Sequence, residues 1–221
     1  MKLIGFVVNP IAGMGGAVGL KGTDGDTYVE ALELGAKSVT PERAKQFLSN
    51  IKSKRELFIL AAPGGMGENI VRNFGIEYSV VGSLGSETTS AEDTKRIAKE
   101  MLDENIDLLV FVGGDGTSRD IYDVIGLKKP VIGVPSGVKM FGSVFAVNAR
   151  AAAEVVDAFV KGNVMVAEKE VLDINEAAFR KSKLDVRLYG YLKVPTVKEL
   201  VQLGKEPTRV SESQRENQSY R

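Results

Sequence analysis

Asp107-Leu108-Leu109-Val110-Phe111-Val112 runs without interruption into Gly113-Gly114-Asp115-Gly116-Thr117. An apolar run with no polar alternation predicts a strand buried on both faces, as in a parallel sheet. That strand delivers three glycines and one carboxylate to its carboxyl end. Glycines there let the backbone approach a ligand closely and present bare N–H groups to it. Asp115 is the one charged side chain of the turn, and so the candidate for a ribose hydroxyl or a metal. The plain alternative is a tight connection. A connection needs one or two glycines, not three around an aspartate, and a nucleotide-phosphate site is the preferred reading.

Strand and helix patterns alternate on either side of this stretch. Residues 3–8 form a continuous apolar run ending at Asn9-Pro10. A long glycine-rich stretch follows. Thr40-Pro41 then opens a helix, with Thr40 able to cap it and Pro41 at its first position. Ala44, Phe47, Leu48 and Ile51 recur at helical spacing. Strands are predicted at 57–62, 77–81, 108–112 and 130–134. Helices are predicted at 69–74, from the overlapping capping-box registers at 89–93 to Leu102, at 119–125 and at 149–160. This order predicts a doubly wound α/β domain with a mostly parallel sheet covered on both faces. Ligands bind such sheets beyond the carboxyl ends of the strands. Four glycine-rich turns, after Val8, Ala62, Val112 and Val134, are expected to share one cleft there.

The pattern changes near Gly162. Residues 164–174 and 184–194 are β-rich with no helix between them, which predicts the start of an antiparallel second domain. The organisation expected is an α/β nucleotide-binding domain over 1–162, a partial β-sandwich over 163–203 and a polar, disordered tail over 204–221.

Composition excludes several chemistries. The 221 residues carry 29 basic and 29 acidic side chains, no histidine and no cysteine. Balanced charge argues against a nucleic-acid partner held by bulk electrostatics. Without histidine or cysteine there is no Ser-His-Asp or Cys-His catalysis, no thiolate or imidazole metal site and no disulfide framework. Acid–base work falls to carboxylates, Lys or Tyr. Phosphoryl transfer, which depends on positioning and charge more than on proton transfer, suits such a chain. The apolar start is too short for a signal peptide or a membrane span, and a cytoplasmic location fits.

The remaining motifs each have a plain alternative. Asn9 opens a loop in which Gly13, Gly15 and Gly16 could cradle phosphate oxygens, or simply bend the chain. No Lys-Ser/Thr follows as in a Walker A loop, and Val18 stands where a dinucleotide fingerprint needs glycine. Thr23 and Asp24 form either a second polar loop or an Asp-Gly turn. Gly64 and Gly65 end the second strand pattern. Ser136-Gly137-Val138-Lys139 ends another, and Lys139 could hold a phosphate as a point charge or stand solvated. Asn175 and Glu176 could together read ribose hydroxyls and an adenine edge, although the pair alone carries no signal.

Taken together, these segments resemble the NAD kinase family, and within it the ATP- or polyphosphate-dependent, acetoin-catabolism protein X-like branch. The motifs are Asn9-Pro-Ile-Ala-Gly13-Met-Gly-Gly16, Leu20-Lys-Gly-Thr-Asp24-Gly, Pro63-Gly-Gly-Met-Gly67-Glu, Thr89-Ser-Ala-Glu-Asp-Thr94, Gly113-Gly-Asp-Gly-Thr117, Pro135-Ser-Gly-Val-Lys-Met140 and Asn175-Glu176. The likeness spans Leu3 to about Val194. The Gly-Gly-Asp-Gly turn is shared with diacylglycerol, sphingosine and phosphofructokinases. The resemblance implies a NAD kinase/diacylglycerol kinase-like first domain, a β-sandwich second domain and an active site between them. It implies that Asp115 is catalytic, and that Asn175 and Glu176 bind NAD. Two departures stand out. Phe141 occupies a position where close relatives are expected to carry histidine. The match also fades where relatives complete the sandwich, so a truncated second domain is expected.

The reaction implied is transfer of a terminal phosphoryl group from ATP or polyphosphate to the 2′-hydroxyl of the adenosine ribose of NAD, giving NADP. Mg²⁺ would be carried on the donor phosphates rather than in a protein cage. Asn9, Gly13, Gly15, Gly16, Thr23, Asp24, Gly64, Gly65, Gly113, Gly114, Gly116, Thr117, Ser136, Gly137 and Lys139 would line the nucleotide site. The partners expected are small nucleotides, with no nucleic acid and no membrane, and the β-rich segment offers edges for a homo-oligomer. Two rivals stay open: a lipid or sugar kinase using the same turn, and a nucleotide sensor without catalysis.

Overall fold

The computed structural model describes residues 1–14, 18, 26–85, 89–137, 140–174 and 186–202. In chain order its elements are β1 (Lys2–Val8), α1 (Asp26–Glu33), α2 (Thr40–Asn50), β2 (Leu57–Ala61), a 3₁₀ turn (Gly64–Met66), α3 (Glu68–Val71), β3 (Tyr78–Val80), α4 (Ala91–Asp103), β4 (Leu108–Gly113), α5 (Asp115–Ile125), β5 (Val131–Pro135), α6 (Ala149–Val160), β6 (Met165–Ile174) and β7 (Val186–Thr196). The first five strands form one sheet in the order β3-β2-β1-β4-β5, and every pairing in it is parallel.

The order of winding reverses between β1 and β4, which pair from Ile4–Leu108 to Val8–Val112. Connections leaving these neighbours go to opposite faces and part, leaving a crevice beyond their carboxyl ends. Alternation along β1 shows the two faces. Phe6 stacks on Phe47 of α2, with ring centroids 5.9 Å apart. Its neighbour Gly5 faces the other way, where a Cβ would stand 2.8 Å from Leu109 Cδ1 and 3.1 Å from Met101 Sδ of α4. Helices α2 and α6 pack together on the Phe6 side, and α4 and α5 on the Gly5 side. Every residue of β4 is buried, as its unbroken apolar run predicts.

Helix starts follow local chemistry. Ser90 and Asp93 close a reciprocal capping box on α4, as the sequence predicts, and Asn148 caps α6 through the N–H of Ala151 at 2.9 Å. The start of α2 departs from expectation. Val39 is its N-cap, without a side-chain bond, and Thr40 is the first helical residue. Its buried hydroxyl donates to the carbonyl of Ala12 at 2.9 Å, so it ties down the turn after β1 instead of capping. Other boundaries also move. Helix α5 begins at Asp115 rather than 119, because Gly114 serves as N-cap and Asp115 enters the first turn. The helix expected over 69–74 is the single turn Glu68–Val71. Helix α1, Asp26–Glu33, lies in a stretch read only as glycine-rich.

Beyond α6, β6 and β7 form a two-stranded antiparallel ribbon, paired from Met165–Thr196 to Ile174–Val186. Val171, Leu192 and Val194 of the ribbon are fully buried and belong to the same hydrophobic cluster as the sheet. A bridge from Pro130 to Lys193 ties β7 to the start of β5. Among the described residues no helix is long and apolar enough to cross a membrane.

Candidate functional site

Three of the glycine-rich turns meet beyond the β1–β4–β5 edge. The N–H of Asn9 donates to the carbonyl of Val112 at 2.9 Å, and the N–H of Ser136 to that of Gly113 at 2.9 Å. These bonds extend the sheet ladder past the last strand residues, so the turns begin side by side. Asn9 then works in two directions. Its Oδ1 accepts the N–H of Ile11 at 3.2 Å, closing a local turn, while its Nδ2 donates to Thr117 Oγ1 at 3.0 Å. The turn after β1 is thus fastened to the first turn of α5.

Glycine is required here by space. A Cβ on Gly113 would stand 2.5 Å from Thr117 Oγ1, so a side chain there would expel the threonine that Asn9 holds. Gly13 has φ +79° and lies against Ser136, whose carbonyl oxygen would be 3.2 Å from a Cβ. Ser136 is 1% exposed, and its Oγ is the one buried side-chain polar atom without a hydrogen-bond partner among the described residues. Gly114 faces the same hydroxyl, 3.8 Å from the position of a Cβ. A buried hydroxyl without a partner is costly. Placed where the turns carrying Gly13, Gly114 and Ser136 converge, it is a ready donor for an anionic oxygen.

Asp115 stands at the first helical position of α5, where the helix dipole favours a negative charge. It faces neither the core nor open solvent. Its Oδ2 accepts the N–H of Phe141 at 2.9 Å, and its Oδ1 that of Gly142 at 2.9 Å. Gly142 is wedged between this carboxylate and β6, where a Cβ would be 3.2 Å from Asp115 Oδ1 and 3.4 Å from the carbonyl oxygen of Glu170. Ser143 completes the link: its N–H donates to Glu170 O and its Oγ accepts the N–H of Glu170, each at 3.0 Å. The carboxylate therefore joins the sheet domain to the ribbon through a three-residue loop. Sequence reasoning noted Phe141 only as a departure and missed Gly142 and Ser143. The contact is made by backbone, so the side chain at 141 gives no clue to it.

The turn after β2 points elsewhere. The N–H of Gly64 donates to Glu68 Oε2 at 3.0 Å, and a Cβ on Gly64 would meet Leu84 at 3.5 Å. Nothing lies within 4 Å of a Cβ on Gly65. Its neighbour Gly67 abuts the carbonyl of Phe6. The contacts of Gly64 stay within its own turn and reach Leu84 beyond β3, not Ser136 or Asp115. Gly116 opens to empty space and Gly137 lies against Met140. Gly15, Gly16, Thr23, Asp24, Lys139, Asn175 and Glu176 lie outside the described residues.

Asp93, Lys95 and Arg96, three titrating groups on α4, are perturbed. The Ser90 hydroxyl holds the Asp93 carboxyl below its ordinary range. The hydrogen bond from Lys95 to Asp123, 2.9 Å long, raises the lysine and ties α4 to α5. Among the described residues no three acidic side chains converge as a metal site would require.

The family model of the ATP-NAD kinase N-terminal domain matches residues 4–164. No curated protein matches the chain. Among solved structures, it is similar to a candidate diacylglycerol kinase from Bacillus anthracis str. Sterne, at 17% identity over 79% of this chain and 43% of that one, with a TM-score of 0.35. It is also similar to a structure described as a diacylglycerol kinase from the same strain, at 18% identity over the same shares, with a TM-score of 0.34. The chain spans less than half the length of these solved structures.

Proposed function

We propose, because this chain belongs to the ATP-NAD kinase family, that its crevice carries phosphoryl transfer from ATP or polyphosphate to the 2′-hydroxyl of the adenosine ribose of NAD. The observation that carries the proposal is Ser136 Oγ, buried and, among the described residues, unpartnered beside Gly13 and Gly114. A hydroxyl in that setting gains a partner when a phosphate oxygen enters, and the glycines leave room for it.

Phosphoryl transfer passes through a loose state whose charge spreads over the equatorial oxygens. The crevice would meet that charge with the Ser136 hydroxyl and the backbone of the Gly13 and Gly113–Gly114 turns. Asp115 would orient the acceptor hydroxyl and take its proton late. Asn9 would act at one remove, holding Thr117 and so the first turn of α5. Lys139 is proposed to add positive charge, and Asn175 and Glu176 to position the adenosine portion, where proximity supplies much of the rate. Mg²⁺ is proposed to arrive on the donor phosphates. The two-part organisation at about residue 162, a cytoplasmic location and self-association through the β-rich segment remain part of this reading.

One observation favours a rival, nucleotide binding without transfer: both oxygens of Asp115 already accept backbone N–H groups. Incubation with NAD, Mg²⁺ and either ATP or tripolyphosphate separates the two. Formation of NADP supports the kinase. A melting temperature raised by NAD with no product formed supports the sensor.

A further inference from the structure

We propose that Arg119 and Arg187, gathered on the ring of Tyr189, form a clamp for an oligophosphate chain at the crevice end of the β6–β7 ribbon. The proposal deepens the phosphotransfer reading by naming a subsite for the phosphoryl donor, and rests on that reading for this use alone.

The placement follows from one face of α5. Asp115, Arg119 and Tyr122 are spaced i, i+4 and i+7, so they line up along the helix. The ribbon lies on that line. A Cβ on Gly190 would meet the Tyr122 ring at 2.3 Å, so only glycine lets β7 approach so closely. One residue earlier, the Tyr189 ring centroid lies 5.5 Å from Arg119 Cζ. Going back along β7 from Gly190 to Tyr189 thus moves from Tyr122 to Arg119, one turn nearer the start of α5, and Arg187 follows two residues on. Its Cζ is 5.4 Å from the same ring centroid.

A break in the ladder makes this possible. Val171 pairs with Gly190 and Leu172 with Leu188, so Tyr189 is the extra residue of a bulge. Bulges redirect side chains and recur beside active sites. Here the bulge presents one aromatic ring to two guanidinium groups, from two different elements. Each cation gains from the ring quadrupole, but the two repel one another. Arg187 is exposed, so its charge faces solvent at the rim, beside the half-buried Arg119. A guanidinium is a planar fork of donors matched to phosphate oxygens. Two forks held on one ring fit a chain of linked phosphates better than a single anion. The zero net charge of the whole protein supplies no field for a long nucleic acid.

The test is calorimetric titration of the full chain with inorganic tripolyphosphate and, separately, with NAD, for the wild type and Arg187→Ala. Arg187 is exposed and its side chain touches only the ring among described contacts, so the variant should fold; its melting curve checks this. The expected result is tripolyphosphate binding that weakens about tenfold in the variant, and weakens with salt in the wild type, while NAD binding is unchanged. Arg119→Ala should act in the same direction. Equal binding by wild type and Arg187→Ala overturns the proposal. So does a wild type that fails to bind tripolyphosphate, or a loss that falls on NAD instead. A chain that binds tripolyphosphate through these arginines yet forms no NADP supports the clamp and sinks the kinase reading.

Discussion

Gly142 donates its backbone N–H to Asp115 Oδ1 at 2.9 Å, across 27 residues of chain. With the matching bond from Phe141, the residue assigned to chemistry is also the fastening between α5 and the loop leading to the ribbon. Charge-assisted bonds of this kind are stronger than neutral ones. Asparagine at this position keeps one acceptor and turns an amide donor toward the other N–H. Asp115→Asn is therefore expected to lower stability by about 1–3 kcal/mol and to reduce NADP formation by about a hundredfold or more. Urea unfolding and a coupled NADP assay measure the two effects. Turnover at the wild-type rate would remove Asp115 from the mechanism. Unchanged stability would mean that the two backbone bonds contribute nothing.

Ser136 gives the opposite signature. Its Oγ is buried with no partner among the described residues, so the free protein bears a desolvation cost for it. Ser136→Ala removes that cost and a single oxygen. We expect the free protein to be as stable as wild type or more so, by up to about 1 kcal/mol, while the stabilisation conferred by saturating nucleotide shrinks. Thermal melts with and without ATP or NAD read both quantities. A variant that is less stable alone and equally stabilised by nucleotide would show the hydroxyl to be structural.

Much of this arrangement was legible in the sequence, for definite reasons. Continuous apolar runs such as Leu108–Val112 announce strands buried on both faces, and their alternation with helical stripes gives a parallel sheet. The capping box at Ser90 and Asp93 could be read because it depends on two side chains at fixed spacing. What stayed hidden depends on backbone meeting backbone or on distant partners. Nothing local marks Phe141 and Gly142 as donors to Asp115. Thr40 looks like a cap until Ala12 offers its hydroxyl a better acceptor. The turn at Gly64 and Gly65 has the same composition as the others, yet β2 lies on the far side of β1 from β4, and its contacts run to Leu84. The clamp on Tyr189 depends on a bulge, which composition does not reveal.

Acid should expose the capping box of α4. The Asp93 carboxyl is lowered chiefly by its bond with the Ser90 hydroxyl, against a smaller opposing effect of burial. A carboxyl lowered in the folded state contributes stability that is full above its unfolded value of 3.8 and is lost as pH falls through the folded value. Ser90→Ala is expected to cost about 1 kcal/mol at pH 7. The gap to wild type should narrow below about pH 4, because only the bond from Asp93 N–H to the Ser90 hydroxyl survives protonation. Urea unfolding at several pH values checks this. A gap of constant size at every pH would show that the Asp93 charge plays no part.

Asp157 tests what keeps the α2–α6 face in register beneath the crevice. This aspartate is 7% exposed, and no lysine or arginine is paired with it among the described ion pairs. Its carboxylate instead accepts the N–H groups of Lys52 and Ser53 and the Ser53 hydroxyl. Those donors lie in the connection from α2 to β2, so one side chain of α6 fixes how that connection enters the sheet. Asp157→Ala strands two backbone donors in a largely buried place, at an expected cost of about 2–4 kcal/mol. Ser53→Ala removes only one donor and should cost about 1 kcal/mol. The double variant should lose less than the two single losses together, since the hydroxyl has nothing to bond once the carboxylate is gone. Strict additivity in that cycle would mean that the short contact between the two side chains contributes no coupling, and that Asp157 acts through the backbone donors alone.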